Sequence, residues 1–461
     1  MSFSDRFINV MDGTVGVPGR QDFASHLVAA LSSAPVAGPC TLYIGRSAVV
    51  HRDVEIDERF DLWMGPGAVL RIDPGVTLTV LGTVDLAIEP RFHLGQGARV
   101  RLLGPIDAVR PEWWDVDSDV DGALAAAFSC LRARFEGGRA RVPLRLLGPY
   151  RLSETFVLDA SGPTGMEVIL EGRHPRGDAI VPATFSRQRL SAEVFPLLRL
   201  GPDVRLRVTR VAFDATGGIT AKSSGARSAA LLVEGVASGL VLDRCTFFVA
   251  SGDGVLLKPT AIASSPPAAV AVQSCWFQVE RGLQQGAVAL RVAEPGTLRL
   301  RVDGTVFRGS ARAMVAMVDG ICELVGCDFD NFDDTDDAGV DLSFGSTARV
   351  GKPSEGNPVG PLLVSAIHTV TSSYRHIEAD RRIGQPDSVV TITGLLHRPR
   401  TGVNPDPVPA VRWQGPVASG LLLQGSRVSG TVSCNERCQI VSIATIVQAA
   451  VPFEGTYREI R

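Results

Sequence analysis

The sequence predicts an all-β chain wound as a parallel β-helix, a solenoid of stacked strands. Three observations predict it: a repeated apolar template, a break in that template's alternation once per repeat, and turn residues at high frequency. The template reads apolar, any, apolar, any, any, small or apolar, any, Phe. It occurs as Leu206-Val208-Val211-Phe213, Leu240-Leu242-Cys245-Phe247, Val270-Val272-Cys275-Phe277, Leu300-Val302-Thr305-Phe307 and Cys322-Leu324-Cys327-Phe329. The Phe-to-Phe spacings are 34, 30, 30 and 22 residues, in the range of repeat architectures. With 48 Gly and 29 Pro, the chain has many places to turn.

The break in alternation carries the most information. Apolar residues two apart face one side of a strand. The next step in the template is three, so a straight strand would throw Cys245 and Phe247 to the solvent side. A bend between Leu242 and Cys245 returns them inward, giving two short strands joined by a tight corner. A third apolar run follows each repeat: Ala230–Val233, Val255–Leu257, Val288–Val292, Met314–Val318 and Val340–Leu342. Two or three strands in each turn of chain is the arithmetic of a β-helix coil. Stacking then places like on like, with one ladder of Phe213, Phe247, Phe277, Phe307 and Phe329 and a second of Val211, Cys245, Cys275, Thr305 and Cys327. Val390-Ile392-Leu395-His397 and Leu421-Leu423-Ser426-Val428 fit the template loosely and extend it toward residue 430. A sandwich or a propeller is the competing architecture, but a propeller wants longer blades.

Two helix-then-strand units precede these coils. Gln21–Ser33 places Phe23, Leu27, Val28 and Leu31 at helical spacing, and Asp121–Phe135 reads as a second short amphipathic helix. Such helices cover an open solenoid end, which otherwise exposes apolar side chains and unpaired edges. Strand-like runs lie between and after them: TLYIG, VVHRDVEID, LWMGPGAVLRID, VTLTVLGTVDL and LGPYRLSETFVL. The expected organisation is an N-terminal cap with first strands over 1–115 and regular coils over 116–345. A β-rich region of irregular coils or an oligomerisation module follows over 346–461, beginning at the linker-like KPSEGNPVGP.

The run from VTLTVLGTVDL to Arg110-Pro111-Glu112-Trp113-Trp114, followed by the Asp-Gly-Ala helix, resembles pectate-lyase-superfamily proteins, including phage tailspike-like ones. The resemblance covers roughly residues 21–345. It implies a right-handed parallel β-helix with short N-terminal capping helices, a surface polysaccharide as partner, and a homotrimer or larger particle. The Asp-Asp-Thr triplet common at the helix start in that family is replaced by Asp117-Ser118-Asp119-Val120-Asp121-Gly122, a cap and turn device.

Bulk properties exclude other classes. The net charge is −3 and no basic stripe with interleaved aromatics appears, so no nucleic acid is expected as partner. No run of about 18 apolar residues exists, so no membrane insertion is expected. The N-terminus lacks a basic then apolar leader, so synthesis in the cytoplasm is expected, with release by lysis or on a phage or injection particle. No nucleotide-binding glycine loop, zinc signature or nucleophile elbow is present. Of the 8 Cys, only Cys434 and Cys438 have suggestive spacing, as two unpaired thiols near a turn or as a disulfide. Cys40, Cys130, Cys245, Cys275, Cys322 and Cys327 sit in apolar stretches as small buried hydrophobes.

Glycan cleavage needs paired carboxylates or a base beside a neutralising cation. The densest candidate runs from Asp328 to Asp341, with Asp330, Asp333, Asp334, Asp336 and Asp337 as catalytic candidates. These acids fit acid–base chemistry or Ca²⁺ binding. An ordinary solvated turn explains the same run. Ser251-Gly252-Asp253-Gly254 faintly resembles the Ser-Gly-Asp-Asp segment of polygalacturonases. Its second Asp is replaced by Gly, however, and the companion Gly-His-Gly and Arg-Ile-Lys are missing. Trp276, Glu280 and Arg281 form a binding candidate, because an inward Phe277 leaves Trp276 outward, where its ring can stack on a sugar. Packing under a loop or at a subunit contact is the plainer role for that Trp. The expected function is a tailspike-like protein of a phage or injection particle that binds surface polysaccharide and, if it is an enzyme, cleaves it as a lyase or hydrolase. A non-catalytic structural or adhesive β-helix is the alternative, since no complete catalytic set is visible.

Overall fold

The computed structural model of the protein describes residues 7–10, 23, 25–27, 39–115, 119–159, 165–172, 183–188, 195–202, 204–216, 229–235, 239–250, 252–258, 268–280, 287–293, 298–311, 313–317, 321–331, 340–344, 368–372, 375–379, 389–393, 396–397, 411–413, 420–434, 439–450 and 456–460. They fall into two compact units, Met1–Gly148 with Met166–Arg173, and Pro149–Gly165 with His174–Arg461. The described strand pairings within each unit are parallel, and the fold is a parallel β-helix.

In the first unit each coil contributes three short strands. Cys40–Ile44, Phe60–Met64 and Val84–Asp85 stack in one sheet. Ala48–Val50, Leu70–Ile72, Phe92–Leu94 and Trp114–Asp115 form the next, and Val54–Ile56, Thr77–Val80 and Arg99–Leu102 the third. Ala48, Leu70, Phe92 and Trp114 occupy one rung position in register. No residue type repeats along that row, so its 22-residue period leaves no mark in composition. The resemblance-bearing Arg110–Trp114 segment is structural. A 3-10 turn spans Pro111–Trp113, both Trp residues are buried, and Trp113 Nε1 donates to Ala87 O at 3.1 Å.

Helix α1 spans Val120–Glu136, one residue longer at each end than its sequence spacing suggests. Asp119 caps it, its carboxylate accepting from the Asp121 and Gly122 amides at 3.1 Å each. This satisfies two of the four amides that a helix start leaves open. Leu124, Ala127, Phe128 and Leu131 are buried, and Arg134 Nη1 donates to the Leu102 and Gly104 carbonyls of an end strand and its turn. The helix therefore closes a sheet edge with a side-chain donor as well as with apolar cover. Of the first expected helix, Phe23 and residues 25–27 are helical, with Phe23 and Leu27 buried; its remaining residues lie outside the described ones.

The second unit carries the template. One ladder runs through Tyr150, Phe185, Phe213, Phe247, Phe277, Phe307 and Phe329, with rings from Phe213 onward 4.6–5.0 Å apart and nearly parallel. Phe185 and Tyr150 extend the stack beyond what the template shows, because a long insertion separates Phe185 from the strand before it. The third apolar runs pair as expected, Leu231 on Val255, Val255 on Leu290, Leu290 on Val315 and Val315 on Leu342. Late strands continue the coils, with Val389–Thr393, Gly420–Gln424, Gln439–Ile443 and Thr456–Ile460 stacked in one sheet.

The three-residue step resolves into one residue in the left-handed region at every corner. Arg210, Arg244 and Ser274 have φ of 58°, 53° and 51°, and Gly304 and Gly326 take 53° and 58° at the same station. That conformation reverses the inward-outward parity and leaves the next amide out of the ladder. The following coil supplies an acceptor: the Cys245 amide donates to Cys275 Sγ at 3.4 Å and the Cys275 amide to Thr305 Oγ1 at 3.3 Å. Cys245, Cys275, Thr305 and Cys327 recur in this second ladder because they fit inside the corner and can accept that bond; Val211, first in the row, only fills it. Ser426 and Thr445 repeat the device, the Ser426 amide donating to Thr445 Oγ1 at 3.4 Å.

Gly304 offers a test of this corner. A Cβ there meets nothing nearer than Ser274 Oγ at 3.8 Å, so the cost of Gly304→Ala is conformational rather than steric. It should lower stability by about 1–2 kcal/mol, read as a lower denaturant midpoint. An unchanged midpoint would show that the corner relaxes.

Candidate functional site

The template places Phe213, Phe247, Phe277, Phe307 and Phe329 inward, so the residues between them face out. Strands Ala212–Ala215, Thr246–Val249, Trp276–Val279, Val306–Gly309 and Asp328–Asn331 stack in register. One row starts at buried Ala212 and runs outward through Thr246, Trp276, Val306 and Asp328; the next is Asp214, Phe248, Gln278, Arg308 and Asp330. Trp276 is 40% exposed and Phe248 36%. Strand spacing sets Trp276 and Asp328 two rungs apart, on the order of 10 Å between Cα atoms. Asp328 and Asp330 share one face of one strand, roughly 6.6 Å apart along it.

The polar groups of this face are partly engaged. Arg308 Nε lies 3.4 Å from Asp330 Oδ2, with the Asp330 side chain 28% exposed. Asp214 accepts from the Thr216 amide at 3.0 Å and from the Thr216 hydroxyl, which ties it to its own turn. Glu280, exposed, directly follows the Trp276 strand, its amide donating to Val249 O at 2.7 Å.

Among the expected site residues, Trp276, Glu280 and Asp330 are thus brought onto one sheet of one unit. Arg281, Asp333, Asp334, Asp336 and Asp337 lie outside the described residues, so the Ca²⁺ expectation attached to that run has no geometry. Among the described residues no group of three or more His, Cys, Asp or Glu stands close enough to hold a metal. Asp328 opens the expected acidic run but was not among its catalytic candidates. Its signal was its place two positions before Asp330, which sends both side chains to the same side of a strand.

Ser-Gly-Asp-Gly has a different place. Asp253 is fully buried, and its Oδ1 accepts from Arg291 Nε at 3.0 Å. Gly254 sits where a Cβ would come within 2.5 Å of Ala289 O. A second Asp at that position would not fit, and Asp253 cannot reach a polymer, so this segment is internal structure. Cys130, Cys245, Cys275 and Cys327 are free thiols, and they and Cys40 are buried. Burial pushes the Cys130 and Cys327 thiols up to about 11, and that of Cys245 well above its ordinary value. Those three thiols stay protonated near neutral pH and are packing groups, not nucleophiles. Cys438 lies outside the described residues.

Among the described residues no helix is long and apolar enough to cross a membrane. No protein-family model matches the chain, and no curated protein matches it. Among solved structures, the catalytic unit of a thermostable GH87 alpha-1,3-glucanase from Streptomyces thermodiastaticus strain HF3-3 is similar at a TM-score of 0.31, with 12% identity, over 98% of this chain and 67% of that one.

Proposed function

We propose that this chain binds an extended surface polysaccharide across the Trp276 face and cleaves it, as a tailspike-like component of a phage or injection particle. One observation carries the binding reading: the register sets two exposed aromatic rings, Trp276 and Phe248, on the same sheet face as Asp328 and Asp330. Exposed aromatic faces stack on the apolar faces of sugar rings, and the flanking Gln278, Asp328 and Asp330 present groups for hydroxyls. The particle setting rests on the resemblance around Arg110–Trp114.

For cleavage, the pair Asp328 and Asp330 is the best candidate. Their Cα atoms are about 6.6 Å apart along the strand and their side chains share a face, which lets the two carboxyls stand far enough apart for a water between an acid and a base. Trp276, two rungs away, would hold the neighbouring sugar.

The test is depolymerisation of capsular, O-antigen and pectic polysaccharides with and without Ca²⁺, following new reducing ends and unsaturated products. Trp276→Ala should weaken polymer binding about tenfold. Asp328→Asn or Asp330→Asn should lower cleavage about a hundredfold while binding persists. A parallel variant changes Asp333, Asp334, Asp336 and Asp337 to Asn. Loss only in that variant would move the chemistry to the acidic run. Binding without cleavage of any polymer would favour the non-catalytic adhesive reading. Absence of both would sink the proposal.

A further inference from the structure

The first unit has an aromatic surface of its own. On the sheet of Phe7–Asn9, Cys40–Ile44, Phe60–Met64 and Val84–Asp85, one outward row reads Asn9, Tyr43, Trp63, Asp85 in register. Trp63 is 45% exposed, more than Trp276 or Phe248. Its ring lies 5.3 Å from that of Tyr43, tilted by 54°, so the two form a shallow cradle rather than a closed stack.

The Tyr43 ring is held in place by what is missing beneath it. A Cβ on Gly45 would lie 2.9 Å from Tyr43 Cε1, and one on Gly65 would lie 2.5 Å from its hydroxyl oxygen. The two glycines make a floor on which the ring lies along the sheet. Acids stand beside the cradle: Asp85 is exposed, and Asp61 and Thr41 form the adjoining row, with Asp61 accepting from the Thr83 amide at 3.1 Å, while exposed Ile88 lies three residues beyond Asp85.

We infer that Tyr43 and Trp63 form a second glycan-binding platform, one that takes an uncharged pyranose chain. A protein interface needs a broad, desolvated core around such a hot spot, and here two rings stand beside Asp85 and the Asp61–Thr41 row. A sugar ring needs only an aromatic face for its C–H side and polar neighbours for its hydroxyls. Asp61 and Asp85 accept from hydroxyls and repel carboxylates, which selects neutral sugars over uronates. The platform stands on its own residues and does not depend on the face around Trp276.

The test is electrophoresis of the full chain through gels containing dextran, glucomannan, galactomannan, xylan or polygalacturonate. Wild type should be retarded by at least one neutral polymer. Trp63→Ala should weaken that retardation about tenfold, Trp63→Phe should largely keep it, and Trp276→Ala should leave a residual Trp63-dependent component. Gly65→Ala, which displaces the Tyr43 ring while keeping both aromatics, should weaken it as well. Circular dichroism and melting temperature confirm that each variant is folded. Retardation of wild type and Trp63→Ala alike, retardation by polygalacturonate alone, or none by any polymer would overturn the platform. If only Trp276→Ala loses binding, this inference fails and the proposed function stands. If only Trp63→Ala loses binding, the platform stands and the Trp276 face fails as the polymer site.

Discussion

Phe277→Ala should lower the stability of the second unit by about 3–5 kcal/mol, the range for truncating a fully buried aromatic. Phe277 is completely buried and stacks on Phe247 at 4.6 Å and on Phe307 at 5.0 Å. Its removal therefore deletes two ring contacts at once and leaves a gap in the middle of the column. Neighbouring coils cannot close that gap cheaply, because their vertical spacing is set by backbone hydrogen bonds. In a solenoid, interaction between adjacent repeats carries much of the cooperativity. Hydrogen exchange should thus rise first in the flanking strands Thr246–Val249 and Val306–Gly309. Phe277→Leu, which keeps most of the volume, should cost much less. A loss below about 1 kcal/mol for the Ala variant would mean that the column is not a principal source of stability.

Arg291→Met should cost a similar amount, about 3–5 kcal/mol, because it removes one partner of a buried ion pair. Arg291 and Asp253 have side chains 3% and 0% exposed, with Nε and Oδ1 3.0 Å apart. The lost partner leaves the carboxylate with its desolvation penalty and without its main cation. Replacing both, as Asp253→Leu with Arg291→Met, should recover most of the loss, since an apolar pair of similar size is often as stable as a buried ion pair. Chemical denaturation of the two single variants and the double gives the coupling energy directly. Polymer cleavage per folded molecule should be unchanged in Arg291→Met. A specific loss of cleavage with unchanged stability would make Asp253 a catalytic candidate again.

The periodic part of this fold was legible because it is local. Alternation along a strand is a property of the chain, and the single three-residue step marks a corner wherever it occurs. Leu240-Leu242-Cys245-Phe247 therefore announces two strands and a left-handed residue between them, found at Arg244. The first unit was legible only as strands. Its rows mix Ala48, Leu70, Phe92 and Trp114, and mixed rows leave a period without a residue signature. The late coil at Ile440-Ser442-Thr445-Val447 was hidden for another reason. Ser442 and Thr445 are polar yet buried, and Thr445 is accommodated by donating to the Leu423 carbonyl at 3.0 Å.

The candidate site was only partly legible. That Trp276 points outward follows from Phe277 pointing inward, and the sequence alone supports it. That Trp276 shares a row with Asp328, and Phe248 with Asp330, follows from the same ladder, since each stands one residue from a stacked Phe. What did not follow is how exposed each outward side chain is and what it pairs with, such as Arg308 with Asp330. The sequence by itself determined the parallel stack, its corners and its inward ladders, because inward residues are selected by one continuous core. Tertiary structure alone decided that Asp253 is sealed inside against Arg291 and that Arg308 pairs with Asp330. The pattern of one strand sets register and facing, but burial on the outer face and side-chain pairing depend on packing between distant segments that alternation within a strand does not encode.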